Sequence, residues 1–381
     1  MKRLLIFIYS ANSYSETFIA DEVDFLKRLQ SVRTTVLHYG EPKKSKAVEG
    51  LNIPNNFLFR WLKSPAKLNL KALKFANGRK SLLQYLIPLF EKTGFDVIYC
   101  HFGPNGKLIA ELMQLGYVSS ESRLIVRFHG MDLVKGKYDA NYYKILTQHV
   151  HTYIVGTEYA KTQLQGYNVP QSKIVILPVG VKERNIVTEL KCKQFGTTWH
   201  LISIGRLVEL KGHIQAIEIM KILKDSRIQF KYTIVGSGPL QKDLLKLLDT
   251  YNLMSLVTIV PPLNHASTLK LLQQNDIYIY TGIRDKVGRE ETQGLANIEA
   301  MAAGLPIISS PVGGIPSYVV NNYTGFLYDS KNPEMFAEKI KWLMDNYSSR
   351  LVSDIRQNAI NLVRSHYQQE LLNEELLKII R

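Results

Sequence analysis

Two glutamates stand eight positions apart in the stretch REETQGLANIEAMAAGLPIISS, residues 289–310: Glu291 and Glu299. A carboxylate accepts hydrogen bonds through two oxygens and donates none, so it matches a pair of neighbouring sugar hydroxyls. Upstream, GRLVELKGH sets Arg206 and Lys211 between Gly205 and Gly212. A guanidinium offers a planar fork and an ammonium a mobile point charge, and together they suit a diphosphate. One acid on a ribose, the other on a hexose, and the two cations on the phosphates between them would form one site. Plainer uses exist for the same residues: Glu299 as a solvated helix residue, Glu291 as a helix-dipole partner, and Arg206 and Lys211 as surface cations. Paired carboxylates also hydrolyse glycosides, but the two cations would then have no role.

These residues need elements to position them. Gly294 precedes an apolar helix over about 295–303, Gly304 fits the residue just past its end, and a strand follows at 307–309. The amides of Leu295, Ala296 and Asn297 then head a helix, where they can meet an anion or sugar hydroxyls. In VGSGPL, Gly236 and Gly238 allow close backbone approach, but Gln241 leaves the dinucleotide fingerprint incomplete, and an ordinary strand-to-helix turn reads equally well. No phosphate-loop motif of the nucleoside-triphosphatase kind occurs.

Strand-like runs alternate with helical patterns along the whole chain. The first series is 4–9, 35–38, 97–101, 124–128, 152–156 and 174–177; the second is 201–204, 232–235, 257–260, 277–280, 307–309 and 325–328. Alternation of this kind predicts α/β architecture: two doubly wound, Rossmann-like domains facing across a cleft. The expected division is 1–182 and 198–355, with the polar segment 182–198 between them. Residues 356–381 read as a C-terminal helix able to cross back to the first domain. Ligands of such sheets lie beyond the carboxyl ends of the strands.

At 381 residues, with 45% hydrophobic and 21% charged, the chain is globular and long enough for two cores. The two cysteines, Cys100 and Cys192, have no metal spacing and fit a reducing compartment. The apolar run behind Lys2 and Arg3 is too short for a signal peptide, and no stretch is long enough to span a membrane. The net charge of +15 is uneven: residues 1–190 hold 26 Lys and Arg against 15 Asp and Glu. Such a half expects an anionic partner, whether lipid, nucleic acid or a charged acceptor. Lys67, Lys71 and Lys74 form one stripe of a helix bracketed by Ser64-Pro65 and Asn77-Gly78. That stripe suits anionic headgroups and equally a solvated face. No nucleic-acid motif is present.

Taken together, G-R-L…K-G (205–212), V-G-S-G (235–238) and E-x7-E followed by A-M-A-A-G-x-P (291–306) resemble the family 4 retaining glycosyltransferases of the GT-B fold. The segments YSETFIADEVDFL (14–26), CHFGPNGKLIA (100–110) and RFHGMDL (127–133) resemble the subgroup that builds colanic acid and other bacterial exopolysaccharides. The resemblance implies that Arg206 and Lys211 bind the donor diphosphate, Glu299 the ribose and Glu291 the transferred sugar. It also implies that the backbone of Gly294–Asn297 meets phosphate or sugar, that His129 lies near the sugar and β-phosphate, and that no metal ion or cofactor is required. Gly205 and Gly236 line the donor side. Ser15, Glu16, His101 and Asn105, with Lys67, Lys71 and Lys74, are the acceptor-side candidates; SETF also reads as a helix cap. Two features depart from the family: E-T-Q-G replaces the usual E-G-F-G, and Ser317 stands where a glutamate is usual.

The expected activity is transfer of a hexose-type sugar from a nucleotide diphosphate sugar to a glycan acceptor. The resemblance adds that the acceptor is lipid-linked. A cytoplasmic protein resting on the inner face of the cell membrane follows, with no nucleic-acid partner. Three rivals make different demands. A sugar-nucleotide epimerase of the same fold converts the donor alone, a glycosidase needs no nucleotide, and a non-catalytic basic binder has salt-sensitive association and no nucleotide affinity.

Overall fold

The computed structural model of the protein describes residues 1–8, 17–39, 51–53, 80–133, 140–193 and 198–381. Ser15, Glu16 and the basic stripe of Lys67, Lys71 and Lys74 lie outside the described residues.

Among the described residues, thirteen strands form in chain order: β1 (Lys2–Ile8), β2 (Val32–Tyr39), β3 (Leu51–Ile53), β4 (Val97–His101), β5 (Arg123–Arg127), β6 (Val150–Val155), β7 (Ile174–Ile176), β8 (Trp199–Ile204), β9 (Phe230–Val235), β10 (Val257–Val260), β11 (Ile277–Tyr280), β12 (Ile307–Ser309) and β13 (Phe326–Leu327). They make a seven-stranded sheet in the order β3-β2-β1-β4-β5-β6-β7 and a six-stranded sheet in the order β10-β9-β8-β11-β12-β13. Every pairing is parallel. Continuous apolar runs explain this, because a parallel sheet is covered on both faces. All of β4 (VIYCH) and all of β11 (IYIY) is buried. Both sheets are therefore doubly wound, as the sequence predicts. Strand β3 has no counterpart in that prediction, since three residues between Gly50 and Pro54 are too few to show a period.

Two compact units result. The first is Met1–Gly156 with Ala160–Leu177 and Ile379–Arg381; the second is Thr157–Tyr159 with Pro178–Lys378. In the first, Phe7, Ile98, Cys100, Leu108, Val126 and Tyr153 share one core. In the second, neighbouring residues of β8 part to opposite faces: Leu201 packs with Ile217, Phe230 and Ile340, while Ile202 packs with Tyr278, Ile298 and Ile360.

The division at Leu177/Pro178 falls earlier than the expected 182–198. Residues 178–193 form a strap bonded to the second unit. The Val181 amide donates to the Tyr367 carbonyl (2.7 Å) and the Val187 amide to the Ala302 carbonyl (2.9 Å). The Arg356 guanidinium donates to the carbonyls of Gly304 (2.8 Å) and Lys191 (3.0 Å). Weak periodicity in this segment reflects backbone groups satisfied from outside. The expected C-terminal helix is two helices, Arg350–His366 and Gln369–Ile380, and residues 356–378 belong to the second unit. The last three residues count with the first unit, where Arg123 donates to the Ile379 (2.8 Å) and Ile380 (3.4 Å) carbonyls.

Strand order in the second sheet reverses between β8 and β11, and their following loops interlock. Gly212 sits at φ 68°, and a Cβ there would lie 1.7 Å from the Thr281 carbonyl oxygen. Gly116 has a similar φ of 80° but open space around its missing Cβ. Gly116→Ala is expected to cost only the left-handed backbone strain, about 1–2 kcal/mol. Gly212→Ala should cost markedly more, read as a larger drop in the urea midpoint at unchanged m-value.

Candidate functional site

The reversal between β8 and β11 is the ligand position of an open parallel sheet, and the sequence-predicted donor residues gather there. The Gly205–Gly212 loop is held on two sides. Thr281 Oγ1 donates to the Gly212 carbonyl (2.7 Å), and the Ile283 amide to the Leu210 carbonyl (3.1 Å). From the β9 side, the Leu207 amide donates to the Ser237 carbonyl (2.9 Å). A Cβ on Gly236 would lie 2.0 Å from the Gly205 carbonyl oxygen. The close approach expected of Gly236 is thus made to the neighbouring loop. His213, which sequence reasoning passed over, anchors the same loop. A carbonyl only accepts, so its Nε2 donates to the Arg206 carbonyl at 3.2 Å. Burial, with Lys211 adding, lowers its pKa to about 4, so the ring is neutral at physiological pH. Its signal was its place directly after K-G.

Lys211 Nζ donates to Glu291 Oε2, and the Tyr280 hydroxyl donates to the same oxygen at 3.3 Å. The Lys211 ammonium also stands 5.6 Å from the centre of the Tyr280 ring. Burial pushes the Glu291 pKa up, but the charge and hydrogen bond of Lys211, the Tyr280 hydrogen bond and the charge of Arg206 outweigh it, leaving Glu291 below its ordinary value. Arg206 itself is exposed. Two of the predicted residues therefore neutralise each other, while the second cation, Arg206, is exposed.

The predicted helix runs over Leu295–Ala302, with Gly294 in the left-handed region before it. It ends in a Schellman turn: the Gly304 amide donates to the Met301 carbonyl (3.0 Å) and the Leu305 amide to the Ala300 carbonyl (3.1 Å). At its start, the Asn297 amide is engaged by the Gly294 carbonyl at 2.9 Å, while Leu295 and Ala296 remain half-buried. The Asn297 side chain is fully buried and donates to the Tyr318 hydroxyl (3.1 Å), which donates to the Gln293 carbonyl (2.6 Å). Asn297 thus supports the loop from inside. The unusual E-T-Q-G sequence has a structural use here: Gln293 makes a paired bond with the Val179 backbone, at 2.9 and 2.6 Å. The Thr292 carbonyl accepts from Thr157 Oγ1 (2.8 Å) and the Glu291 carbonyl from the Gly314 amide (2.9 Å). Ser317 is exposed and its hydroxyl donates to the Gly314 carbonyl at 2.6 Å.

Glu299 is buried on the second turn of that helix, and its Oε1 meets His265 Nε2 at 2.8 Å. The charges of both acids act on Tyr278, in β11. Burial first raises its hydroxyl pKa well above the ordinary value, and the charges of Glu299 and Glu291 raise it further. Among the described residues, no cluster of three or more His, Cys, Asp or Glu side chains could hold a metal ion.

The first unit carries its own cluster beyond β4 and β5. His101 Nδ1 and His129 Nε2 lie 3.1 Å apart, and the two rings are parallel within 1°. Asp132 holds the chain around them: Oδ1 accepts the amides of His129 and Gly130 at 2.9 Å each, and Oδ2 accepts the Gly103 amide at 2.8 Å. Asn105 is buried and donates to the His101 carbonyl (2.9 Å). Behind His101, Glu22 pairs with Arg127 at 2.9 Å and accepts from the Tyr99 hydroxyl. His101 Nε2 is buried with no hydrogen-bond partner. A proton on Nδ1, donated to His129, leaves only a lone pair unmatched there. His101 and Asn105 are thus interior, and His129 is the partly exposed member.

Two parallel-sheet α/β units of this kind are the architecture of the GT-B glycosyltransferases. The description "Glycosyltransferase Family 4" fits residues 15–184, and "Glycosyl transferases group 1" fits residues 191–362. The chain is similar to a putative colanic acid biosynthesis glycosyltransferase of Escherichia coli strain K12, with 28% identity over 75% of this chain and 70% of the relative. It is similar to an amylovoran biosynthesis glycosyltransferase of Erwinia amylovora, with 27% identity over 80% and 75% of the two chains. Among solved structures, a glycosyltransferase from Rickettsia africae superposes with a TM-score of 0.76 at 19% identity, covering 100% of this chain and 98% of the other. An Anabaena protein solved with UDP and glucose superposes with a TM-score of 0.78 at 14% identity, covering 100% and 99%. The chain belongs to the family 4 glycosyltransferases.

Burial lowers the His101 pKa to about 4, Glu22 opposing and Arg127 adding to the drop; His129 is lowered well below its ordinary value by burial, His101 and Arg127. The unfolded chain therefore takes up protons that the folded protein refuses as pH falls below the ordinary histidine value. Stability is full above about pH 6.5 and falls as pH drops toward 4. The expected loss from His101 is of the order of 3 kcal/mol across that window. In urea titrations at pH 7.5 and pH 5, His101→Gln should show a clearly smaller acid-dependent drop than the parent protein.

Proposed function

We propose that the protein is a retaining hexosyltransferase. It moves a sugar from a nucleotide diphosphate sugar to a lipid-linked glycan acceptor during assembly of a bacterial surface polysaccharide. The observation that carries this reading is the Lys211–Glu291 ion pair beside the start of the Leu295–Ala302 helix, with the Arg206 charge acting on the same carboxylate. The relatives that act in colanic acid and amylovoran biosynthesis support the polysaccharide class. Neighbouring structures solved with UDP, or with UDP-glucose, support a nucleotide-sugar donor.

In this mechanism the bond between the anomeric carbon and the β-phosphate oxygen breaks. The acceptor hydroxyl forms the new bond, and its proton passes to the departing phosphate. Arg206, Lys211 and the Leu295 and Ala296 amides stabilise the negative charge that develops there, which is electrostatic preorganisation. Glu291 takes hydroxyls of the transferred sugar and Glu299 those of the ribose. The family resemblance assigns a sugar contact to His129, which lies against His101 in the first unit. The family's chemistry requires no metal ion. Work at the inner face of the cell membrane, with anionic lipid as a partner, rests on the basic composition of residues 60–92. No described helix is long and apolar enough to cross a membrane.

The test is a binding screen of uridine, guanosine and adenosine diphosphate sugars, followed by mass analysis of an extended lipid-linked acceptor. Arg206→Ala and Glu299→Ala should each lower kcat/KM by about 10²–10³ with thermal unfolding unchanged. Near-normal transfer by both variants would remove the site assignment. Conversion of the donor without acceptor would indicate an epimerase.

A further inference from the structure

His265 occupies a place that neither the motifs nor the family resemblance marks. It is the first residue of the helix His265–Gln273, after β10. The preceding Asn264 caps that helix: its side chain accepts the Ser267 amide at 2.9 Å, and its carbonyl accepts the Thr268 amide (2.9 Å) and hydroxyl (3.0 Å). The imidazole thus projects from a backbone fixed on both sides. Its Nε2 meets Oε1 of Glu299 at 2.8 Å, with the His265 side chain 33% exposed and that of Glu299 only 9%. A carboxylate only accepts, so Nε2 carries the hydrogen and donates it.

The other carboxylate oxygen is the informative one. Oε2 of Glu299 has no hydrogen bond to the described residues, yet it is not among the polar atoms sealed from solvent without a partner. One oxygen is tethered and the other is open, on a glutamate that is otherwise buried. A single carboxylate oxygen has two lone pairs, enough for a vicinal pair of hydroxyls. We propose that His265 is a positioning residue: by holding Oε1 it locks Glu299 in the one orientation that presents Oε2 to the ribose diol of the donor nucleotide. The proposal rests on the donor-site reading above. Its physical basis is preorganisation, since a tethered carboxylate loses less conformational freedom when the ligand arrives. It also makes the sugar of the nucleotide, rather than its base or phosphates, the part that senses His265.

The test titrates uridine, guanosine and adenosine diphosphates, and their 2′,3′-dideoxy counterparts, into the full-length protein by calorimetry. The parent protein should bind at least one ribonucleotide and bind its dideoxy counterpart more weakly. His265→Ala should weaken the ribonucleotide about tenfold, the size of one charge-assisted hydrogen bond, and leave the dideoxy affinity unchanged. His265→Gln, whose amide can donate as Nε2 does, should recover most of the loss. In a Glu299→Gln background, His265→Ala should cause no further loss. Should the alanine variant not fold, His265→Asn, too short to reach Oε1, is expected to show the alanine result. A fall in ribo and dideoxy affinity alike, or in neither, overturns the positioning role while leaving the donor site intact. Failure of the parent protein to bind any of the three diphosphates overturns both readings, and that outcome is visible without any variant.

Discussion

The close approach of peptide backbones at the reversal between β8 and β11 is the constraint on which the second unit's site depends. The turns after β8, β9 and β11 touch main chain to main chain, and only residues without a Cβ permit it at positions 212 and 236. That contact sets where Arg206 and Lys211 leave the sheet. From there Lys211 reaches Glu291, which belongs to a loop fastened separately by Gly314, Thr157 and Val179. Two rigid pieces of backbone thus meet through one ion pair. A buried pair of this kind is a weak source of net stability, because desolvation offsets most of the attraction. Its value lies in holding two functional groups at fixed places.

The two units use buried charge differently. In the second, Lys211 and Glu291 pair with limited exposure and a further cation, Arg206, left at the surface. In the first, Glu22 and Arg127 are almost wholly buried and closed by Tyr99, which makes them a structural base beneath the histidine pair. Burial is what keeps His101 neutral; of the pair beneath it, Glu22 works against that and Arg127 with it.

Much of the fold was legible because parallel strands must be apolar on both faces, and runs such as VIYC and IYIY are unmistakable. The helix at 295–302 was readable from Gly294 and Gly304, whose backbone roles follow from local chemistry. Glu291 and Glu299 were legible as a pair for the same reason. Their partners were not. His265 lies 34 residues before Glu299, and Tyr280 lies 11 before Glu291, at spacings set by the sheet order rather than by any local period. Gln293 was read as a change in a ligand loop, yet its amide faces Val179. Asn105 and His101 were read as acceptor groups, yet both are interior. Polar residues at strand ends look alike in sequence whether they face ligand or core. Residues 182–198 read in sequence as the polar segment between domains; residues 182–193 belong to the strap, whose hydrogen bonds go to distant carbonyls and to Arg356.

That strap also carries a chemical handle. Of the chain's two thiols, Cys100 lies inside the first sheet, where burial raises its pKa and shields it, while Cys192 is exposed. An alkylating dye would therefore attach at one native place. That place adjoins the segment whose Val187 amide and Lys191 carbonyl bond to Ala302 and Arg356. A fluorophore there would report on the ground behind the 295–302 helix without engineering a new cysteine.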